Sequence, residues 1–260
     1  MNRLTSLMIL FFFQLLFGQN QLCQTDILNT MDVQQLKATK DWDKLDFSNL
    51  WLNTADESIF GIIGNEHQRI YIKFISLVKN SNKPDDYLVY GKSNVKNNTC
   101  DFIGKITIVK IQEITGENYG VDDEYKDSGI KFQGLLTATY EFFEKNDQLH
   151  SGYFTGTAQS LFYIDKNGKP KYNDLSAFSD GYFNNSFVGK WKMYNSNLEK
   201  ICNWGDYRVP DSNCDFDIGV GEISVSGKYW KNGWMDFSLK NQTNGDSYNQ
   251  RKSNEKKWWK

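Results

Sequence analysis

The amino-acid sequence predicts an all-β protein, an antiparallel meander that curves into a strongly bent sheet or barrel behind a short N-terminal helix. Three observations carry that reading. From residue 59 onward, apolar and polar residues alternate with a period of two in a succession of long segments. Those segments are rich in β-branched and aromatic residues and are joined by turn-forming runs. A Phe-x-Gly pattern recurs within them, and glycine inside a strand relaxes the backbone where a sheet coils sharply.

The chain opens with Arg3, an apolar run from Leu7 to Phe17 broken only by Gln14, and then Gly18. A run of that length fits the h-region of a secretory signal peptide and falls short of the ~20 residues that span a bilayer. Cleavage is expected after Gly18, which leaves 242 of the 260 residues. Asn20, Gln21 and Leu22 precede Cys23, where a lipid-anchored protein would carry small residues. Residues 19–58 form a lead-in, in which Thr25 or Asp26 caps a helix over 25–37 with Ile27, Leu28, Met31 and Leu36 along one side.

A single β domain is expected over 59–250, with strands at 69–79, 87–95, 100–111, 130–143, 152–164 and 187–194. Asn167-Gly168 and Asn232-Gly233 are type I′ hairpin pairs, and residues 65–68 and 145–148 are turn-like. Residues 251–260 form a basic tail with Trp258 and Trp259, suited to fold back on the barrel or to meet an anionic surface.

The formal net charge moves from −2 to −3 when the leader takes Arg3 with it, and no basic cluster marks a nucleic-acid footprint. No second apolar run is long enough for a transmembrane segment in the mature chain. Four cysteines, Cys23, Cys100, Cys202 and Cys214, follow the leader into an oxidising compartment. Three pairings exist on paper. The short loop between Cys202 and Cys214 favours that bridge, with Cys23–Cys100 as the other.

The Phe-x-Gly pairs are Phe102/Gly104, Phe132/Gly134, Phe154/Gly156 and Phe187/Gly189, unevenly spaced, so they mark curvature and not a fixed-period repeat. The segment FVGKWKMY (187–194) is similar to the Gly-x-Trp strand of lipocalins, although in that family the strand opens the barrel. That resemblance implies a lipocalin-like barrel. HSGYFTGTAQSLFYIDKNGK with FVGKW resembles MORN hairpins, without their second Gly-x-Gly strand. Through its leader, its Asn/Lys/Phe-rich strands and the FVGKW and CNWGDYRVPDS segments, the whole chain resembles uncharacterised secreted proteins of Bacteroidota, which implies a compartment and no activity.

The densest chemistry lies in CNWGDYRVPDSNCDFDIGVGE (202–222). Asp211, Asn213, Asp215, Asp217 and Glu222 take positions 1, 3, 5, 7 and 12 of a register similar to an EF-hand calcium loop. Phe216 stands where the turn of that loop requires glycine, and Pro210 denies a preceding helix. The alternative is an Asx-rich turn clipped by Cys202–Cys214. Six of the eight tryptophans fall in the last 70 residues, and Trp204, Tyr207, Trp230 and Trp234 form a candidate platform for ligand or sugar rings.

Only His67 and His150 are present, both at turns. A multi-histidine zinc site is therefore not expected, and no nucleophile elbow, phosphate loop or dinucleotide fingerprint occurs. Asp206, Asp215 and Glu222 are the carboxylates that glycoside hydrolysis would draw on. Residues 121–125 form an acidic connection, and Asn97, Asn184 and Asn241 begin glycosylation sequons. The expectation is a secreted or periplasmic, non-enzymatic binding protein of the bacterial envelope or exterior, holding a glycan, a small apolar ligand or a protein partner. A secreted glycan hydrolase and a structural envelope component are the alternatives.

Overall fold

The computed structural model describes residues 22–23, 27–28, 31, 33–39, 42–116, 118–238 and 258–260. The expected leader, the expected caps of the N-terminal helix, Asn241 and most of the basic tail lie outside them. The elements are β1 (Leu22–Cys23), β2 (Gln35–Ala38), α1 (Asn49–Leu52), β3 (Ile59–Ile63), β4 (Gln68–Lys79), β5 (Asp86–Val95) and β6 (Asn98–Thr115). They continue with β7 (Phe132–Glu144), β8 (Gly152–Ile164), β9 (Pro170–Tyr172), β10 (Asn184–Met193), β11 (Glu199–Asp206) and β12 (Ser212–Asn213).

A ring of eight antiparallel strands closes on itself. It runs from β3 through β8 in sequence order, then to β10, β11 and back to β3. Closure rests on two registers, Gly156↔Gly189 between β8 and β10 and Cys202↔Ile63 between β11 and β3. The turns at 65–68, 145–148 and Asn167-Gly168 connect strands, the last with a positive φ at Gly168 alone and so not as the type I′ pair expected. Asn232-Gly233 does not. It ends a 3₁₀ turn at Gly227–Asn232, with Gly233 as the left-handed cap, because the flanking segments pack on side chains and have no strand partner.

Residues 35–37 also depart from the expected helix. β2 pairs with Gln112–Thr115 of β6, beyond the point where β5 ends, and so covers an otherwise open sheet edge. Ile27, at the start of that segment, is buried with Ile114, Leu135, Leu161 and Phe183.

Aromatic rings fill the barrel. Phe102 and Phe142 stack at 5.1 Å, and Phe187 stacks on Trp204 at 4.8 Å. Glycines within the strands make room for them. A Cβ on Gly91 would stand 2.5 Å from the Phe102 ring, and one on Gly134 would stand 2.4 Å from Phe162. Phe and Gly on the inner face are therefore complementary halves of one packing device.

One end of the barrel is plugged. Phe47, Leu50 and Trp51 enter it from the lead-in, where the Phe47 amide donates to the Tyr87 hydroxyl at 3.1 Å and Trp51 Nε1 donates to Ser160 at 3.0 Å. Under the plug, Asp206 Oδ2 accepts from Asn185 (2.7 Å), Thr54 (2.9 Å) and Tyr172 (3.1 Å). Burial pushes this carboxyl up to about 7, against the pull of those donors.

Residues 207–237 form a cap on the outside of β3. Phe60 and Ile62, facing away from the barrel interior, pack with Val209, Phe216, Val225, Tyr229, Trp234 and Phe237. His67 is the pin. Its Nε2 accepts from the Asn213 amide at 3.0 Å, its Nδ1 faces the Asn65 carbonyl at 2.9 Å, and its ring lies 5.0 Å from both Phe216 and Tyr229. Burial lowers its pKa, so the neutral ring that this bonding requires is favoured. Trp258 and Trp259 fold back over Tyr71 and Lys73.

The cysteines pair differently from the expectation. Cys23 and Cys214 form the disulfide, clipping β1 to β12, while Cys100 and Cys202 are buried free thiols. Strand parity explains it. Cys202 shares the inner face of β11 with Trp204, whereas Cys214 is exposed on the outer cap, so neither Cys202–Cys214 nor Cys23–Cys100 can form across the barrel wall.

Candidate functional site

The end of the barrel opposite the plug is open. Four short connections ring it, at 64–67, 96–97, 145–151 and 194–198. Each carries a non-glycine residue in the left-handed region: His67, Lys96 with Asn97, His150 and Asn195. Lys96 and Asn97 have φ of 50° and 68°, as a two-residue type I′ turn demands. These tight turns hold the mouth apart.

Behind them lies a cavity of about 1190 Å³. Its wall is apolar, built from Ile63, Ile70, Val95, Phe154, Met193 and Leu198. Its floor is polar and includes Ser93, Cys100, Glu144 and Trp191. Glu144 ends the inward run Leu136, Ala138, Tyr140, Phe142 along β7, which puts a carboxylate on an apolar face.

That carboxylate is fully bonded. Oε1 accepts from the Ser93 hydroxyl, and Oε2 accepts from the Gly152 amide at 2.8 Å and Trp191 Nε1 at 3.0 Å. Burial outweighs these donors and raises its pKa. The same burial, with Glu144 adding to it, pushes the Cys100 thiol up to about 11 and Cys202 well above its ordinary value. Neither sulfur is a thiolate at neutral pH, so neither has the character of a nucleophile. The rim mixes charges: Glu66, Lys96 and Lys200 stand with a Lys190–Glu199 ion pair of 2.7 Å.

The residues singled out in the sequence are distributed elsewhere. Trp204 lies in the barrel core, and Trp234 is buried in the cap with its Nε1 donating to the His67 carbonyl at 2.8 Å. Trp230 is half-buried beside Trp234, donating to the Val225 carbonyl, and Tyr207 lies half-buried in a separate outer groove. The four do not make one platform. Trp204 and Trp234 anchor cores because each sits on the buried face of its segment.

The calcium-register residues are also drawn to different partners. Asp217 pairs with Arg208 at 2.6 Å and accepts from the Gly219 and Ser224 amides, while Asp215 accepts from Tyr229 and pairs with Lys228 at 2.7 Å. Asn213 is buried under His67, Asp211 is half-buried, and Glu222 lines the outer groove. Phe216, at the turn position, is in the core of the cap. Among the described residues, no three His, Cys, Asp or Glu side chains group so as to hold a metal ion.

Asp206, Asp215 and Glu222 fall under the plug, on the cap and in the outer groove respectively, so these three do not share one cleft. Asn184 is fully buried, its side chain bonded to both backbone groups of Leu161, so that sequon is closed to glycosylation in the folded chain, whereas Asn97 is exposed. Comparison with protein-family models, with curated proteins and with solved structures finds no match.

Proposed function

We propose that the protein is a non-enzymatic binding protein of the bacterial envelope or exterior, holding one small apolar or amphiphilic ligand in the open end of its barrel. The cavity carries this reading. Ligand sites are concave, mostly apolar, and of roughly 300–1,000 Å³, and this one opens to solvent at about that scale. The floor strengthens it. Because Glu144, Ser93, Trp191 and the Gly152 amide satisfy one another, an apolar ligand can cover them without leaving a buried polar group unpaired.

Lys96 and Lys200 at the rim favour an anionic head group emerging there, with the tail directed inward. Export is supported by the leader-like N-terminus and by the Cys23–Cys214 disulfide, which fits an oxidising compartment. Among the described residues no helix is long and apolar enough to cross a membrane.

Titration with the fluorescent fatty acid cis-parinaric acid tests the proposal. Saturable one-to-one binding is expected, and Val95→Trp, which fills the cavity from its wall, should weaken it at least tenfold while leaving the melting temperature near that of the parent. Absence of saturable binding, or undiminished binding to Val95→Trp, would overturn it.

A further inference from the structure

A second concavity lies outside the barrel, away from the open mouth. It has a volume of about 450 Å³ and is formed where the lead-in at Glu57 and Ser58, the loop holding Phe178 and Asp180, Tyr207 and the loop at Glu222 meet. Its charge is one-sided. Glu57, Asp180 and Glu222 line it, and among the described residues no lysine, arginine or histidine does. The nearby guanidinium is already engaged: Arg208 pairs with Asp217 and donates to the carbonyls of Gly219, Val220 and Gly221.

Those bonds build the groove in advance. Arg208 and Asp217 hold residues 217–224 in a fixed turn, and the Gly181 amide donates to the Gly221 carbonyl at 3.1 Å, joining the two loops. Tyr207 sits at a φ of 71°, an uncommon conformation for a bulky side chain, held by its amide donating to the Ser58 carbonyl at 2.7 Å. Its ring meets Tyr182 edge to face at 5.0 Å. Aromatic faces among carboxylates attract an organic cation by both charge and ring quadrupole.

The surroundings identify what carries that cation. Phe178 is 87% exposed, Val220 87% and Ile218 64%, all on the two loops that form the groove. A small free amine would leave this apolar surface in water, whereas a polypeptide segment would cover it while placing a basic side chain in the groove. We propose that this groove docks a partner polypeptide segment that presents lysine or arginine beside apolar residues. Pre-formed loops lower the ordering cost of such docking.

The probe is a capped pentapeptide alternating leucine and arginine, titrated calorimetrically into the full mature protein, with a leucine–glutamate twin as control. Saturable binding of the arginine peptide alone is expected. Asp180→Asn with Glu222→Gln should weaken it at least tenfold, and Phe178→Ala several-fold; all three positions are exposed, so the fold is retained. Val95→Trp, which blocks the barrel, should leave it unchanged. The proposal is overturned if the arginine peptide does not saturate, or if the charge variants act while Phe178→Ala does not, which marks diffuse electrostatics. Loss of peptide binding in Val95→Trp would overturn it too, by placing the peptide in the barrel.

Discussion

Replacing Asp206 by asparagine removes a buried ionisable group and keeps an acceptor for the hydrogens of Thr54, Tyr172 and Asn185. With the folded-state pKa at about 7 and the ordinary value at 3.8, the native protein holds a proton here that the unfolded chain has already released at intermediate pH. The contribution of Asp206 to stability is therefore fully present below about pH 4 and is lost as pH rises through 7. At about 1.36 kcal/mol per pKa unit, some three units correspond to roughly 4 kcal/mol. Asp206→Asn does not titrate. The stability of the variant minus that of the parent should rise by about 4 kcal/mol between pH 4 and pH 8, read from denaturant midpoints at constant ionic strength. Taking the difference cancels the titrations of Glu144 and His67, which both proteins share. A difference that stays flat across that range would refute the buried, proton-holding role of Asp206 under the plug.

His67 works in the opposite direction. Its lowered pKa means that it contributes stability above pH 6.5 that is lost as pH falls through its folded value, so His67→Gln should flatten the acid limb of the parent's stability profile. The Cys23–Cys214 bridge spans 191 residues of sequence, and loop-closure entropy assigns it up to about 5 kcal/mol; Cys23→Ser with Cys214→Ser should lower the denaturation midpoint accordingly. Non-reducing peptide maps of the parent should join Cys23 to Cys214 and leave Cys100 and Cys202 as thiols. Gly91→Ala forces a methyl group against Phe102 and the Lys73 carbonyl and should cost about 1–3 kcal/mol by chemical denaturation.

Much of this architecture could be read from the chain. The long alternating strands have a side-chain period that exposes one face, and the Phe-x-Gly pairs announce curvature because glycine and ring are complementary. The two strands that close the ring are harder to see. Ile59–Ile63 is a short apolar run without alternation, and Glu199–Asp206 mixes cysteine, asparagine, glycine and aspartate as a loop would. Missing β11 hid the parity of Cys202 and Trp204, and with it both the disulfide pairing and the burial of that tryptophan. Tertiary context also decided Gln35–Ala38, where an open edge of β6 outweighed a helical spacing, and Asn232-Gly233, where a hairpin dipeptide had no strands to join.

Glu144 left a trace, a charged residue closing an inward apolar series, but its partners Ser93, Gly152 and Trp191 come from three other strands and meet only when the ring closes. The outer groove is less legible still. Glu57, Asp180, Tyr207 and Glu222 are widely separated in sequence, and backbone bonds bring their segments together: the Tyr207 amide to the Ser58 carbonyl, the Gly181 amide to the Gly221 carbonyl, and Arg208 to the carbonyls of Gly219, Val220 and Gly221.

Binding in the open end of the barrel is tested most directly by methyl NMR of the protein labelled at methionine, titrated with dodecanoate. Met193 lines the cavity, and Met235 is exposed on the outer cap. The account predicts a saturable shift of the Met193 resonance with Met235 unmoved. A Met193 resonance that stays fixed at saturating dodecanoate, or a shift confined to Met235, would contradict it.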